Sequence, residues 1–175
     1  FSDGQGYQLP REVSVAFVGA GGTGPVLDVG AGTGLVGTLL RSMQVQEIDG
    51  IDLSQEMLDV AAMKDDYRSL FARDVTQPLN LGNGPYNGIV SAGTFTLGHV
   101  GPAAIKNLQD VAASGALFVI SVNAAHYVSE GFEATLQSLD EGITDVTTRD
   151  VRIYDDRADE HHRNDIARLL IFRKA

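Results

Sequence analysis

The residues best suited to chemistry lie in a glycine-rich stretch that follows a short apolar run. Residues 26–34 read Val-Leu-Asp-Val-Gly-Ala-Gly-Thr-Gly, and a helical pattern over 35–43 follows directly. Glycines at such a junction let the backbone turn tightly and bring its N–H groups against a ligand without clashes from Cβ atoms. The carboxylate of Asp28, just ahead of the bend, suits an ammonium group better than a pyrophosphate. The stretch therefore predicts a ligand-binding loop.

The spacing of the glycines also fits a dinucleotide loop. Gly32, Gly34 and Gly37 satisfy G-x-G-x-x-G, which holds NAD-type cofactors where it follows a strand and opens a helix. An earlier match at 19–24 is followed by Pro25 and an apolar run rather than by a helix. We interpret that earlier match as a connector behind an amphipathic helix. The later match is compatible both with a ligand that carries an ammonium group and with an NAD-type dinucleotide.

Two further acids stand where neighbouring strands are expected to end. Asp52 lies at the end of the predicted strand 48–53, at the place where a doubly wound fold puts an acid that accepts hydrogen bonds from both ribose hydroxyls. An acid favoured by the dipole of the following helix is the alternative for Asp52. Asp74 follows the next predicted strand, and it is either an acceptor for an adenine amino group or a solvated loop acid.

Histidines offer candidates for a general base. His99 and His126 both follow predicted strands at the edge where open α/β sheets bind their ligands. A loop histidine or a packing aromatic is the alternative interpretation for each. The pair His161-His162 follows two acids, but adjacent side chains in a strand point apart, so we predict no metal site there.

The elements that must position these residues alternate along the chain, as is typical of β-α-β units and a parallel sheet. The predicted strands are 26–30, 48–53, 67–73, 88–92, 116–122, 146–154 and 167–172, the last two forming a possible hairpin. The predicted helices are about 10–18, 35–43, one capped by Ser54, 102–113 and 130–139, with a loop over 77–86.

Composition limits the classes of partner. The 175 residues carry a formal net charge of −10, which disfavours nucleic acid and anionic membrane surfaces, because phosphates are bound by clustered Lys and Arg. There is no cysteine, hence no disulfide scaffold and no thiol nucleophile. With no signal-peptide pattern and no apolar run of membrane length, we expect a cytoplasmic protein. We expect one domain over 1–175, trimmed at its start, where no initiator Met stands.

The segments 26–34, 50–58, 91–95 and 114–117 together resemble the class I S-adenosylmethionine-dependent methyltransferases. Within that class, residues 93–102 and 133–136 are similar to methyltransferases related to the protein from the Williams–Beuren syndrome region. The resemblance implies an α/β, doubly wound, Rossmann-like three-layer sandwich with a seven-stranded, mostly parallel sheet whose last strand is antiparallel. The cofactor would be S-adenosylmethionine, with S-adenosylhomocysteine as product.

The resemblance also implies roles for individual residues, grouped by the part of the cofactor that each would contact. The methionine end would be held by Asp28, Gly30, Ala31, Gly32 and Gly34 and flanked by Ser91, Ala92 and Gly93. The ribose would contact Asp52 beside Leu53, and the adenine would contact Asp74 and Val75. Two features depart from the family pattern. Asn87 stands where an acid often begins the fourth strand, and only Tyr7 is left of the N-terminal lid.

Methyl transfer to a small-molecule acceptor by in-line displacement is therefore the leading hypothesis for function. It requires no metal and no covalent nucleophile, and a general base only where the acceptor must lose a proton. An NAD-dependent oxidoreductase and a non-catalytic S-adenosylmethionine-binding protein are the alternatives. The sequence leaves the acceptor and the oligomeric state open.

Overall fold

The computed structural model describes residues 6–96, 100–162 and 164–175, and it alternates strands with helices. The elements are α1 Leu9–Gly19, β1 Val26–Val29, α2 Leu35–Ser42, β2 Ile48–Asp52, α3 Gln55–Met63, β3 Ser69–Ala72, β4 Tyr86–Phe95, α4 Ala104–Asp110, β5 Ala112–Asn123, α5 Ala124–Ser129, α6 Phe132–Ser138, β6 Ile143–Arg152 and β7 Ile166–Lys174. Ser54 caps α3 by accepting a hydrogen bond from the Met57 N–H, as the sequence predicts.

The strands form one sheet in the order β3-β2-β1-β4-β5-β7-β6. Strands β1 to β5 run parallel, while β7 pairs antiparallel with both β5 and β6. The predicted seven-stranded, doubly wound sheet with an antiparallel last strand is confirmed. Strand order reverses between β1 and β4, and open α/β sheets bind ligands at the carboxyl ends of strands at such a switch point.

Helices pack against both faces of the sheet through their apolar side chains, so the fold has three layers. On one face, Val13 and Phe17 of α1 pack with Val36 and Leu40 of α2. On the other face, the helices α4, α5 and α6 bury their apolar side chains, among them Phe132. Strand β1 is buried at all four positions, as expected of a central parallel strand covered on both sides.

Several element boundaries differ from the sequence prediction. Strand β4 runs to Phe95 rather than to residue 92, so that it carries more side chains to the carboxyl edge. The helix predicted over 130–139 corresponds to α6, and the short helix α5 that precedes it was not predicted. Gly131, in the left-handed conformation (φ 68°), separates the two helices. A glycine adopts this conformation without the Cβ clash that other residues meet, so the chain turns there. None of the helices in the described residues is long and apolar enough to cross a bilayer.

A buried ionic cluster fixes the opposite, amino-terminal end of β2. The carboxylate of Asp49, fully buried, accepts two hydrogen bonds from the Arg68 guanidinium (3.0 and 2.9 Å). It also accepts from the Tyr86 hydroxyl at 2.7 Å and from the Asn83 amide at 3.2 Å. Burial disfavours the charged carboxylate, but these donors outweigh it and lower the pKa of Asp49. The cluster ties β2 to the segment entering β3 and to the start of β4.

We predict that Asp49→Ala lowers the free energy of unfolding by about 3 kcal/mol, because Arg68 and the Tyr86 hydroxyl lose their buried acceptor. Urea unfolding at pH 7 measures the loss, and Asp110→Ala, at an exposed position, should change stability by less than about 0.5 kcal/mol. Since the folded-state pKa of Asp49 is lowered, its stabilisation is present above the ordinary value near 4 and is lost as the pH falls further. Equal losses in both variants would contradict this role.

Candidate functional site

A cavity of about 320 Å³ opens at the carboxyl ends of β1, β2 and β4. It is lined by Val29, Gly30, Gly32, Ile51, Asp52, Leu53, Met57, Arg73, Asp74, Val75, Ala92, Gly93, Thr94, Thr96 and Val100. Eight of the twelve residues predicted to bind the cofactor are among these: Gly30, Gly32, Asp52, Leu53, Asp74, Val75, Ala92 and Gly93. The other four, Asp28, Ala31, Gly34 and Ser91, lie around or beneath the loop without lining the cavity.

The glycine loop turns sharply because three of its residues adopt the left-handed conformation. Gly30, Gly32 and Gly34 have φ values of 71°, 55° and 95°. At Gly30 a Cβ atom would also overlap the Thr94 hydroxyl, which itself donates to the Val29 carbonyl at 3.0 Å. The bend is held to the end of β2, since the N–H groups of Gly30 and Ala31 both donate to the Ile51 carbonyl. Only glycine fits this path without strain.

Asp52 joins the loop to the start of α3. One carboxylate oxygen accepts from the Gly32 N–H at 3.0 Å, and the other accepts from the Ser54 N–H at 2.9 Å. A carboxylate has about four acceptor positions, so about two remain after these bonds. Because Asp52 lines the cavity, the remaining positions are available to hydroxyl donors of a ligand. Asp52 also lies at the N-terminus of α3, as the alternative interpretation expects, and its contact with a ribose stays a prediction.

Apolar side chains and one further acid form the outer part of the cavity. Leu53 is 73% exposed and Met57 is 43% exposed, whereas Val75 is buried. Asp74 accepts from the Thr76 N–H and hydroxyl at 2.9 and 2.6 Å, and these two bonds lower its pKa. A flat apolar ring with polar edges suits this combination of exposed apolar surface and a charged acceptor.

Asp28 is placed differently from the expectation that it meets a ligand directly. Its side chain is only 1% exposed, and its Oδ2 accepts from the Tyr67 hydroxyl at 2.6 Å. Burial raises the pKa of Asp28 to about 7; the Tyr67 hydrogen bond opposes that shift, and the charge of Asp52 adds to it. Direct contact between Asp28 and an ammonium group stays a prediction, and the geometry favours an action through the loop instead.

The other residues that do not line the cavity support the bend. Ser91 is fully buried and donates to the Val29 carbonyl at 2.9 Å. Ala31 is buried against Gly50 of β2, where an added Cβ would meet the alanine methyl at 2.9 Å. Gly34 lies at the N-cap of α2. These positions shape the site from behind, and a direct contact with a ligand stays a prediction for them.

The two candidate bases have different outcomes. His126 is 2% exposed, and its Nε2 lies 2.7 Å from the Val100 carbonyl oxygen, so it anchors a segment that lines the cavity without facing the cavity itself. Its role as a base stays a prediction that this geometry does not favour. His99 lies outside the described residues.

His162 pairs with Asp165 on the surface, and the described residues contain no group of three or more His, Asp or Glu arranged to hold a metal.

Sequence reasoning missed several residues of the site. Thr94, Thr96, Arg73 and Met57 line the cavity, and Tyr67 lies beneath the glycine loop. Arg73 and Thr94 adjoin Asp74 and Gly93, which the sequence did single out, so adjacency was an available signal. The sequence places Tyr67 in a strand, whereas it lies just before β3, and no spacing rule connects it with Asp28.

A family model described as "Methyltransferase domain" matches residues 26–115, just over half of the chain. The match begins at β1 and extends into β5, so it contains the glycine loop and Asp52. A search of curated proteins finds no match.

Solved structures of similar fold cover nearly the whole chain. Magnesium protoporphyrin IX methyltransferase (ChlM) from Synechocystis PCC 6803, with bound S-adenosylmethionine, is 19% identical (TM-score 0.67; 96% of this chain, 79% of that one). The N-methyltransferase NodS from Bradyrhizobium japonicum WM9, in complex with S-adenosylhomocysteine, is 17% identical (TM-score 0.69; 94% and 85%). The CcbJ methyltransferase from Streptomyces caelestis is 16% identical (TM-score 0.67; 95% and 95%). At these identities the likeness establishes the fold.

The buried position of Asp28 leads to a prediction about stability. Because its folded-state pKa is raised to about 7, the cost of the buried charge is absent below about pH 4 and complete only above pH 7. We predict that Asp28→Asn, which can still accept from Tyr67, is more stable than the wild type above pH 7 by about 1–3 kcal/mol. Urea unfolding between pH 5 and 9 measures the difference, which should shrink towards acid. A variant that is less stable at every pH would contradict the assignment.

Proposed function

The chain belongs to the class I S-adenosylmethionine-dependent methyltransferases, and we propose that it transfers the methyl group of this cofactor to a small-molecule acceptor. The observation that carries the proposal is the carboxylate of Asp52, which holds the Gly32 N–H and still presents free acceptor positions to the cavity. Two adjacent ribose hydroxyls are donors that these positions fit.

The residues that line the cavity also fit the other two parts of the cofactor, the adenine and the methionine end. We assign the adenine to the outer part, between Leu53 and Val75, with Asp74 available to an amino group. We assign the methionine end to the bend at Gly30 and Gly32 and to the facing Gly93, where glycines without side chains let a ligand approach the main chain closely. These assignments of individual residues are part of the proposal.

The residues of the chain contribute position and environment to the transfer. When bound, the cofactor supplies an electrophilic methyl group on a sulfonium, whose positive charge is lost as the methyl leaves. The inner wall formed by Val29, Ala92 and Gly93 is apolar, and a less polar environment favours a step in which charge is lost. The ordered loop fixes the orientation of whatever it binds, which is where an in-line displacement gains most of its rate.

Proton removal is needed only for acceptors that lose a proton on methylation. Thr96 and Val100, the described residues on either side of the 97–99 segment, both line the cavity. This flanking position supports His99 as the base that we propose, in preference to the buried His126.

A small molecule is the class of acceptor that we propose. The net charge of −10 disfavours polyanionic substrates, because their phosphates require clustered cations. The similar structures include enzymes named for a porphyrin and for N-methylation, and those acceptors belong to those proteins. The narrower resemblance to the Williams–Beuren group and the expected cytoplasmic location are part of this proposal and stay predictions. The NAD-dependent alternative is not retained, because the family match includes the glycine loop on which it depended.

We predict that Asp52→Ala weakens binding of S-adenosylhomocysteine by about 1–3 kcal/mol, because the ribose hydroxyls and the Gly32 N–H lose their acceptor. Titration calorimetry measures the affinity, with Asp59→Ala on the exposed face of α3 as the matched control, expected to bind like the wild type. Unchanged affinity in Asp52→Ala would count against the ribose assignment. Binding of NAD but not of S-adenosylhomocysteine to the wild type would overturn the proposed function.

We predict that His99→Gln lowers kcat by about 100-fold on an acceptor that must lose a proton, because a positioned base contributes on that scale. Release of S-adenosylhomocysteine during an acceptor screen identifies such a substrate and also reports the rate. His161→Gln, at an exposed position far along the chain, is the control and should keep the wild-type rate. If His99→Gln also keeps that rate, His99 is not the base.

A further inference from the structure

One phenol connects the two ends of the glycine loop. The Tyr67 hydroxyl donates to Asp28 Oδ2 at 2.6 Å and accepts from the Gly37 N–H at 3.1 Å. Asp28 lies on β1 two residues before the bend begins, and Gly37 lies in the first turn of α2, just after the bend ends. Tyr67 itself comes from elsewhere, the segment between α3 and β3.

The ring of Tyr67 also occupies the space beneath the loop. A Cβ atom added at Gly37 would overlap this ring. One added at Gly34 would lie 3.1 Å from Cε1, and one added at Gly50 of β2 would lie 3.0 Å from Cε2. These glycines therefore let an aromatic ring approach the backbone closely, in addition to letting the chain turn. The ring and the hydroxyl together fix β1, β2 and α2 relative to one another.

We propose that Tyr67 is a positioning residue for the cofactor, whose hydroxyl clamps Asp28 to the Gly37 N–H and so holds the intervening loop in its binding conformation. This inference rests on the proposed cofactor site, since the conformation of the loop affects binding only where a ligand meets the loop. Tyr67 does not line the cavity, so its effect reaches the ligand through the loop and through the charge of Asp28.

The charge of Asp28 depends on few neighbours. Tyr67 faces it from the segment before β3, and Asp52 faces it from the end of β2. Its partners across the sheet, Gly50 on β2 and Val90 on β4, carry no titratable side chain, and Gly37 of α2 offers only an amide. A cationic ligand above the loop favours the carboxylate form, and so does the hydrogen bond from Tyr67, which opposes the effect of burial on the pKa of Asp28.

The test compares Tyr67→Phe with Tyr86→Phe. Each tyrosine donates a hydrogen bond to a buried aspartate, Tyr67 to Asp28 on β1 and Tyr86 to Asp49 on β2. Asp49 lies at the edge of the sheet opposite the cavity. Affinity for S-adenosylhomocysteine is measured by calorimetry from pH 6 to 9, alongside stability by urea unfolding. We expect Tyr67→Phe to weaken binding by about 5- to 20-fold at pH 7 and to shift the pH midpoint of binding upwards. Tyr86→Phe should lose stability and keep both the affinity and the midpoint.

Two results of the binding measurements would overturn the clamp: wild-type affinity and midpoint in Tyr67→Phe, or equal weakening in both variants, which would mark a merely structural role. Hydrogen exchange of the Gly37 amide without ligand separates this proposal from the proposed function. Faster exchange at Gly37 in Tyr67→Phe alone supports the clamp, and unchanged exchange there overturns it. A wild type that fails to bind S-adenosylhomocysteine overturns the cofactor site, whichever exchange result is found.

Discussion

The reversal of the chain after β1 is the constraint on which the site depends. The backbone must leave a fully buried strand, turn through three left-handed residues and enter α2 within a few residues. Its N–H groups cannot pair in a regular ladder there, so other groups must accept from them. The Ile51 carbonyl, the Asp52 carboxylate and the Tyr67 hydroxyl do so, and all three belong to β2 or to the segment that follows α3. The conformation of the loop therefore depends on these hydrogen bonds to neighbouring segments as much as on its own glycines.

Two buried carboxylates show how the same kind of residue serves different ends of the sheet. Asp49 faces a guanidinium, so its charge is compensated and its pKa is lowered. Burial raises the pKa of Asp28, the hydrogen bond from the Tyr67 phenol opposes this shift only in part, and the like charge of Asp52 adds to it. The first arrangement stabilises the fold. The arrangement around Asp28 places a carboxylate beneath the glycine loop with a neutral donor rather than a cation as its partner. This lowers stability and favours the binding of a cationic ligand.

The sequence was sufficient for the features that depend on local pattern. The glycine loop, the acid at the end of β2, the cap at Ser54 and the alternation that produces the sheet all follow from spacing and residue type. It was insufficient where a long-range contact decides. Nothing local brings Tyr67 under Gly37, thirty positions away, or places His126 against the Val100 carbonyl. Whether Asp28 would face the ligand or lie beneath it depended on that same contact.

The arrangement of charge also bears on how methyl transfer and release can follow one another. The donor carries a positive charge that the thioether product lacks, so nearby carboxylates favour the donor over the product. The same attraction opposes the step in which that charge disappears, and it does so more strongly the closer the carboxylates lie. Asp28 is separated from the cavity by the loop, and Asp52 already shares its charge with two N–H donors. In the proposed site, carboxylates that lie near the cofactor and already accept hydrogen bonds would favour the donor over the product while opposing the loss of its charge only weakly.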